Sequence, residues 1–171
     1  NITPVPSPDH PILTSLAITQ KQKIIRTGTF GFGTSVSVGG NMMIVGVPSQ
    51  NTAYLYRRNT LGMWVFAKQL SGPVGSGFGS SVSMSGTTII VGAYRATTGV
   101  NFNRFQGAAY IFQKDQGGLN NWGLVKRVIA SDAVHNDQFG WSVAISADTV
   151  VVGAYTKNSG LGTAALGAAY I

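Results

Sequence analysis

The chain has 171 residues, with 23 Gly, 12 Lys and Arg, five Asp, no Glu and no Cys, and its formal net charge is +7. A 44% hydrophobic fraction with only 10% charge excludes a disordered chain, and many Gly without Glu disfavour a helical one. The lack of Cys excludes disulfides and thiolate chemistry, and every apolar run is far shorter than the ~18 residues of a membrane helix.

The chain begins with a proline-rich stretch, residues 1–18, which carries four of the six prolines. Proline fixes φ and removes a backbone donor, so this stretch is predicted to be an extended arm. It is either an arm that docks on a neighbour or a flexible tail. Residues 20–27, with sequence QKQKIIRT, follow the arm and are predicted to form a strand.

Three similar units follow, starting near residues 30, 77 and 138. Each contains Phe-Gly and a later Gly, and the two glycines are 13 residues apart in all three units. Internal repeats of this length are typical of stacked or ring-forming architectures. The residues that define the repeat are Phe32, Gly33, Gly46, Phe78, Gly79, Gly92, Phe139, Gly140 and Gly153.

Each unit is predicted to contain four short strands. The first alternates polar and apolar residues after Phe-Gly, and the second is a continuous apolar run. The turns between them are placed at Gly39-Gly40, Ser85-Gly86 and Ala147-Asp148, because Gly and Asp tolerate positive φ. The third strands are placed at 53–58, 107–114 and 167–171, and the fourth strands at 64–70 and 122–130.

The pattern Phe-Gly-x-Ser-Val, followed by Val-Gly-Ala and then by Ala-Tyr, resembles the FG-GAP repeat. That family builds β-propellers of the integrin-α type and many surface proteins. The resemblance implies an all-β propeller, or an open arc of one, with about three four-stranded blades over residues 19–171. Many FG-GAP repeats carry an Asp-rich calcium loop between the first two strands. Here that turn offers at most Asp148, so no metal is expected.

The strand order raises a question of closure, because the last unit lacks a fourth strand and 20–27 supplies one extra. Propellers typically have four to eight blades, so three cannot plausibly close. Two interpretations remain open: the chain is part of a longer one, or copies complete each other's split blade. Two copies would then close a six-bladed ring, whereas a rotation that does not close would give a filament.

No catalytic residue or cofactor is predicted. Asp132, His135 and Asp137 share one loop, but their spacing matches no metal or acid–base motif, so a turn-forming role is favoured. The repeat-equivalent Ser35, Ser81 and Ser142 are expected to pack, because a catalytic serine would occur once. The Gly-Phe-Gly segments lack the strand–helix context of a phosphate loop.

Interaction surfaces are expected on the long loops and on the basic outer strands. The loop 95–106 combines aromatic residues and arginines, as interface hot spots do, although a self-packed loop is an equal alternative. Basic outer strands are explained by protection against edge aggregation or by a rim for acidic glycans, anionic lipids or an acidic partner. Nucleic-acid binding is not expected. The candidate interaction residues are Arg95, Phe102, Arg104, Phe105, Lys126 and Arg127.

These features predict a non-enzymatic propeller module, extracellular or at the cell surface, that acts in adhesion, protein interaction or assembly with other subunits. Exchange of strands between subunits would give an oligomer or filament. The alternative is a glycan-binding propeller domain attached to an enzyme whose catalytic residues lie outside this chain.

Overall fold

The computed structural model describes residues 20–97, 105–157 and 165–171, which form three antiparallel sheets. The strands are β1 Ser35–Gly39, β2 Met42–Val47, β3 Thr52–Arg58, β4 Trp64–Ser71, β5 Ser81–Ser85, β6 Thr88–Ala93, β7 Ala108–Lys114, β8 Trp122–Val128, β9 Phe139–Ser146, β10 Thr149–Ala154 and β11 Ala168–Tyr170. The first sheet has the order β1-β2-β3-β4, the second β5-β6-β7-β8 and the third β9-β10-β11. A 3-10 turn, Pro48–Gln50, follows β2.

These sheets confirm the all-β prediction and the division into units, and each sheet corresponds to one propeller-type blade. Two-residue turns join the first two strands of every blade, and the first turn residue has positive φ at Gly40, Gly86 and Ala147. The turns in the first two blades lie one residue later than expected, because Gly39 and Ser85 still pair within the ladders.

Within the single chain, residues 20–27 are not a strand. A strand requires a partner backbone, and within the described residues this segment pairs with none. Its pairing with the edge of another copy stays a prediction. Within the chain, the segment instead contacts the first blade through side chains. The Gln22 side-chain amide donates to the carbonyl of Trp64 at 3.0 Å and accepts from its N–H at 2.8 Å, and Ile24 packs beside Tyr54 and Tyr56.

The blades are joined by their faces. We call the face that carries Tyr54, Tyr110 or Tyr170 the front face of its blade, and the opposite face the back face. The front face of the second blade packs against the back face of the first, where Ile44 and Leu55 are fully buried. The front face of the third blade packs in the same way against the back face of the second. The hydrophobic core is therefore a series of layers between consecutive blades.

The two outermost faces differ from these layers. On the back face of the third blade, Ala169 is exposed, whereas the equivalent Ala53 and Ala109 are fully buried. On the front face of the first blade, Val36 and Val38 are each 64% exposed. The segment 20–26 covers another part of that front face.

Candidate functional site

The seam between blades is built from the repeat motif itself. Ser35 Oγ of the first blade donates to the carbonyl of Gly79 in the second at 2.8 Å. Ser81 Oγ of the second donates to the carbonyl of Gly140 in the third at 2.9 Å. These two serines have the packing role that their repetition predicted.

Glycine is required at the seam because the backbones approach closely. A Cβ at Gly46 would lie 2.0 Å from the carbonyl oxygen of Gly79, and a Cβ at Gly92 would lie 2.1 Å from that of Gly140. Such separations are far below van der Waals contact. At the third blade, a Cβ on Gly153 would instead meet first the Ser142 hydroxyl, at 2.3 Å. The glycines of the three Phe-Gly pairs, Gly33, Gly79 and Gly140, have φ between +87° and +94°.

The phenylalanines of the motif anchor the layers. Phe78 and Phe139 are 0% and 2% exposed, and each makes an edge contact with the tyrosine of its own third strand. Phe32 is only partly buried, at the front face of the first blade. The motif therefore has a structural role in every blade.

A second type of contact joins the outer strands across the seams. Lys68 Nζ of β4 donates to the carbonyl of Trp122 in β8 at 2.9 Å. Gln22 makes the equivalent bond to Trp64, the residue that corresponds to Trp122 in the first blade. The residue equivalent to Lys68 in the second blade is Lys126, because these two pair with the corresponding residues Leu55 and Ile111. Lys126 is exposed on the back face.

A surface cleft of about 270 Å³ opens on the front side of the second blade. It lies between the loop 73–76 and residues 95–97, and Arg95, Phe105 and Arg127 all line it. Three of the six candidate interaction residues therefore meet at one place. Lys126 lies on the opposite face of β8 from Arg127, and Phe102 and Arg104 lie outside the described residues.

The polar side chains that line the cleft include those of Arg95, Arg127 and Tyr110. Arg127 donates to the carbonyl of Thr97 at 2.9 Å and lies 6.0 Å from the ring centre of Tyr110. Arg95 lies over the ring of Tyr94. The Tyr110 hydroxyl is buried, and its hydrogen has no acceptor within the described part of the chain. Burial raises the pKa of Tyr110, and the nearby Arg127 partly opposes that shift.

The third blade has a closed polar cluster, which we call the clasp, formed by Asp132, Asp137, Lys157 and Tyr170. Lys157 Nζ lies 2.9 Å from Asp137 Oδ2 and 3.1 Å from Asp132 Oδ2. Tyr170 donates to Asp132 Oδ1 at 2.8 Å. Asp137 is fully buried, and the backbone N–H of Val134 also donates to its carboxylate.

The clasp shifts the pKa of three of its members. Hydrogen bonds from Tyr170 and Lys157 lower the pKa of Asp132. Burial alone would lower the pKa of Lys157, but its bonds to Asp137 and Asp132 outweigh burial and raise it. Burial, followed by the bond to Asp132, raises the pKa of Tyr170. The sequence indicated only a turn at 131–137, and Lys157 was missed because it lies on a different loop.

No cluster of three or more metal-ligating side chains occurs among the described residues, and none of their helical segments could span a membrane. A family model described as FG-GAP repeat matches residues 72–112 and 122–171, together more than half of the chain. These two segments cover the second and third units except for residues 113–121. A search of curated proteins found no match.

Proposed function

Since the chain belongs to the FG-GAP repeat family, we propose that it is a non-enzymatic propeller module for protein interaction and assembly, at the cell surface or outside the cell. FG-GAP repeats are propeller blades and are typical of extracellular and surface proteins. The blades here meet through flat, repeated faces that are suited to addition of further blades.

The proposal rests on a side-chain contact that occurs twice: once between the segment 20–26 and the first blade, and once between the first and second blades. Gln22 binds the backbone of Trp64 as Lys68 binds that of Trp122. Ile24, two residues after Gln22, packs at the front face of the first blade, and Leu70, two residues after Lys68, packs at the layer shared with the second. The segment 20–26 therefore lies against the first blade as a fourth strand of a preceding blade would.

The third blade offers the complementary edge. β11 is at the end of its sheet, and only β10 pairs with it within the described residues. In the first blade Ala53 pairs with Leu70 and Leu55 pairs with Lys68. The same register would place Ala169 opposite Ile24. We propose that the segment 20–26 of one copy adds to β11 of another, which completes the split blade.

A disulfide tests this pairing directly, since the chain has no native Cys. The double variant Ile24→Cys/Ala169→Cys places the two thiols opposite each other on neighbouring strands, at the separation that a disulfide requires. Mild oxidation is expected to give covalent dimers or longer chains on a non-reducing gel. Light scattering of the unmodified protein is expected to show a mass of two chains or a longer assembly.

The matched control is Ile24→Cys/Ala168→Cys. The side chain at 168 points to the other face of the strand, so this pair should cross-link far less. Equal cross-linking of both pairs, a disulfide confined to a single chain, or a folded protein that remains strictly monomeric would contradict the proposal.

A further inference from the structure

The cleft of the second blade and the clasp of the third occupy equivalent places, as their backbone hydrogen bonds show. Ala96 donates its N–H to the carbonyl of Ala93 at 2.9 Å, and its own carbonyl accepts from Gly107 at 2.9 Å. Lys157 makes the same pair of bonds, to Ala154 at 3.2 Å and from Gly167 at 3.1 Å. The second blade therefore has Ala at the position where the third has Lys.

Asp137, the ion-pair partner of Lys157, is also replaced in the second blade. Ser76 and Asp137 each stand two residues before the phenylalanine of Phe-Gly, and both donate their N–H to the residue three positions earlier, at 3.2 and 3.4 Å. They are 2% and 0% exposed. In the third blade Asp137 and Lys157 form an ion pair that fills the space between the loops. In the second blade the smaller Ser76 and Ala96 line the open cleft.

The tyrosine of the third strand loses its hydrogen-bond acceptor in the second blade. Tyr170 donates its hydroxyl hydrogen to Asp132, and Tyr54 donates to Gln50 Oε1 at 3.3 Å. Tyr110, at the same position in the second blade, is buried without such an acceptor among the described residues. A buried hydroxyl hydrogen without an acceptor is unfavourable.

The positive charge around the cleft indicates that the missing acceptor is an anion. Arg95 and Arg127 are both exposed and line the cleft beside Tyr110. Both ion pairs of the described residues belong to Lys157 and so to the other blade. Arginine binds carboxylates with two parallel hydrogen bonds, which is stronger and more specific than a neutral contact.

We propose that this cleft binds the carboxylate of an Asp or Glu side chain of a partner protein, which takes the place that Asp132 has in the third blade. The carboxylate accepts from the Tyr110 hydroxyl and pairs with the two guanidinium groups. The rim favours a protein partner, because Val74 is 98% exposed and Phe105 40% exposed, and both suit an apolar residue beside the acid. This site is separate from the seam assembly, and either proposal can fail alone.

The test is a titration followed by NMR of the arginine Nε–H groups and of backbone amides. The probe is aspartate blocked as N-acetyl-aspartate N-methylamide, and the control probe is the blocked asparagine. Saturable shifts are expected at Arg95 and Arg127, with binding of the asparagine probe weaker by about tenfold, since charge-assisted bonds are roughly twice as strong as neutral ones. A methyl glucuronide is the third probe, and tighter binding of it than of aspartate would overturn the assignment to a protein carboxylate.

Three variants test whether the carboxylate binds in this cleft. Ala96→Gln introduces the side chain that the first blade has at this position in Gln50, and is expected to fill the cleft and abolish the shifts. Arg127→Gln should weaken binding by about tenfold, because one charge-assisted contact is lost. Arg57→Gln makes the same change at the exposed end of the third strand of the first blade, and should leave binding unchanged. Absence of shifts at Arg95 and Arg127 in the unmodified protein, or equal weakening by Arg57→Gln and Arg127→Gln, would overturn the proposal.

Discussion

The hydroxyl of Ser81 donates a hydrogen bond to the carbonyl oxygen of Gly140 across the seam between the second and third blades, at 2.9 Å. The first and second blades are joined by the same bond, from Ser35 to Gly79. A serine in one copy of the repeat thus satisfies the backbone of the next copy. The repeat therefore specifies the contact between blades as well as the blade.

Removal of this bond should destabilise the protein by a modest amount. Ser81→Ala leaves the Gly140 carbonyl without its donor in a partly buried seam, so we expect a loss of about 1 kcal/mol in the free energy of unfolding. Urea titration measures it. Ser142→Ala is the control, because Ser142 is exposed at the back face of the third blade and should change stability little. Equal losses in the two variants would contradict the seam role.

Gly92 should tolerate no side chain. A Cβ there meets the Gly140 carbonyl at 2.1 Å, and this backbone atom moves only if the blades separate. We expect Gly92→Ala to cost at least about 3 kcal/mol, the range of severe overpacking, measured by thermal and urea unfolding.

Gly153→Ala is the matched control for Gly92→Ala. The first atom that its Cβ meets is the Ser142 hydroxyl, which can rotate away. The cost should therefore be about 1 kcal/mol or less, in the range of a small adjustment of an exposed side chain. Similar losses of unfolding free energy in the two variants would show that contact between blades is not the reason that Gly92 must be glycine.

Ala147 is a position where a substitution should increase stability. It has φ of 51°, a left-handed conformation, while the equivalent Gly40 and Gly86 have φ of 58° and 55°. A Cβ in this conformation costs roughly 1–2 kcal/mol, so Ala147→Gly is expected to raise the unfolding free energy by about 1 kcal/mol after the greater flexibility of unfolded glycine is subtracted. Gly86→Ala should lower stability by a similar amount, and an unchanged melting temperature in both would refute the strain.

The clasp can be tested with the residues of the second blade. Lys157→Ala leaves the fully buried Asp137 without its ammonium partner and should cost about 3 kcal/mol, since breaking a buried ion pair is severe. The double variant Lys157→Ala/Asp137→Ser installs the pair found as Ala96 and Ser76, and should be more stable than Lys157→Ala alone. The double-mutant cycle measures the coupling, and strict additivity would show that the two residues do not act together.

Alkaline pH should destabilise the folded state because it deprotonates two residues of the clasp, Lys157 and Tyr170. The pKa values of Lys157 and Tyr170 are raised above their ordinary 10.5 and 10.0, so the folded state holds these protons more tightly than the unfolded state. Their contribution is complete below the ordinary values and is lost as the pH rises through the raised ones. Melting temperature, followed by circular dichroism, should stay level from about pH 7 to 9 and fall above about pH 10, which are estimates from these reference pKa values. Lys157→Met should reduce that fall, and an equal fall in this variant would contradict the assignment.

The units and their strands were predictable because their signals are local. Apolar alternation, the spacing of Phe-Gly from the later glycine, and glycines at tight turns all act within a few residues. The segment 20–27 is unpaired in the single chain although its sequence predicts a strand, because it has no backbone to pair with in the described chain. Its contact with Trp64 depends on the adjacent blade, which no local pattern encodes.

The sequence alone determined the repeated four-stranded unit, the requirement for glycine at repeated positions, and the shortage of acidic side chains around many basic ones. Tertiary structure decided which of these residues meet. Arg95 and Arg127 are 32 positions apart in the chain, yet they line one cleft because antiparallel pairing brings β8 beside the strand that carries Tyr110. Whether that place is an open cleft or a closed ion pair depends on side chains from two separate loops, and their proximity exists only in the folded chain.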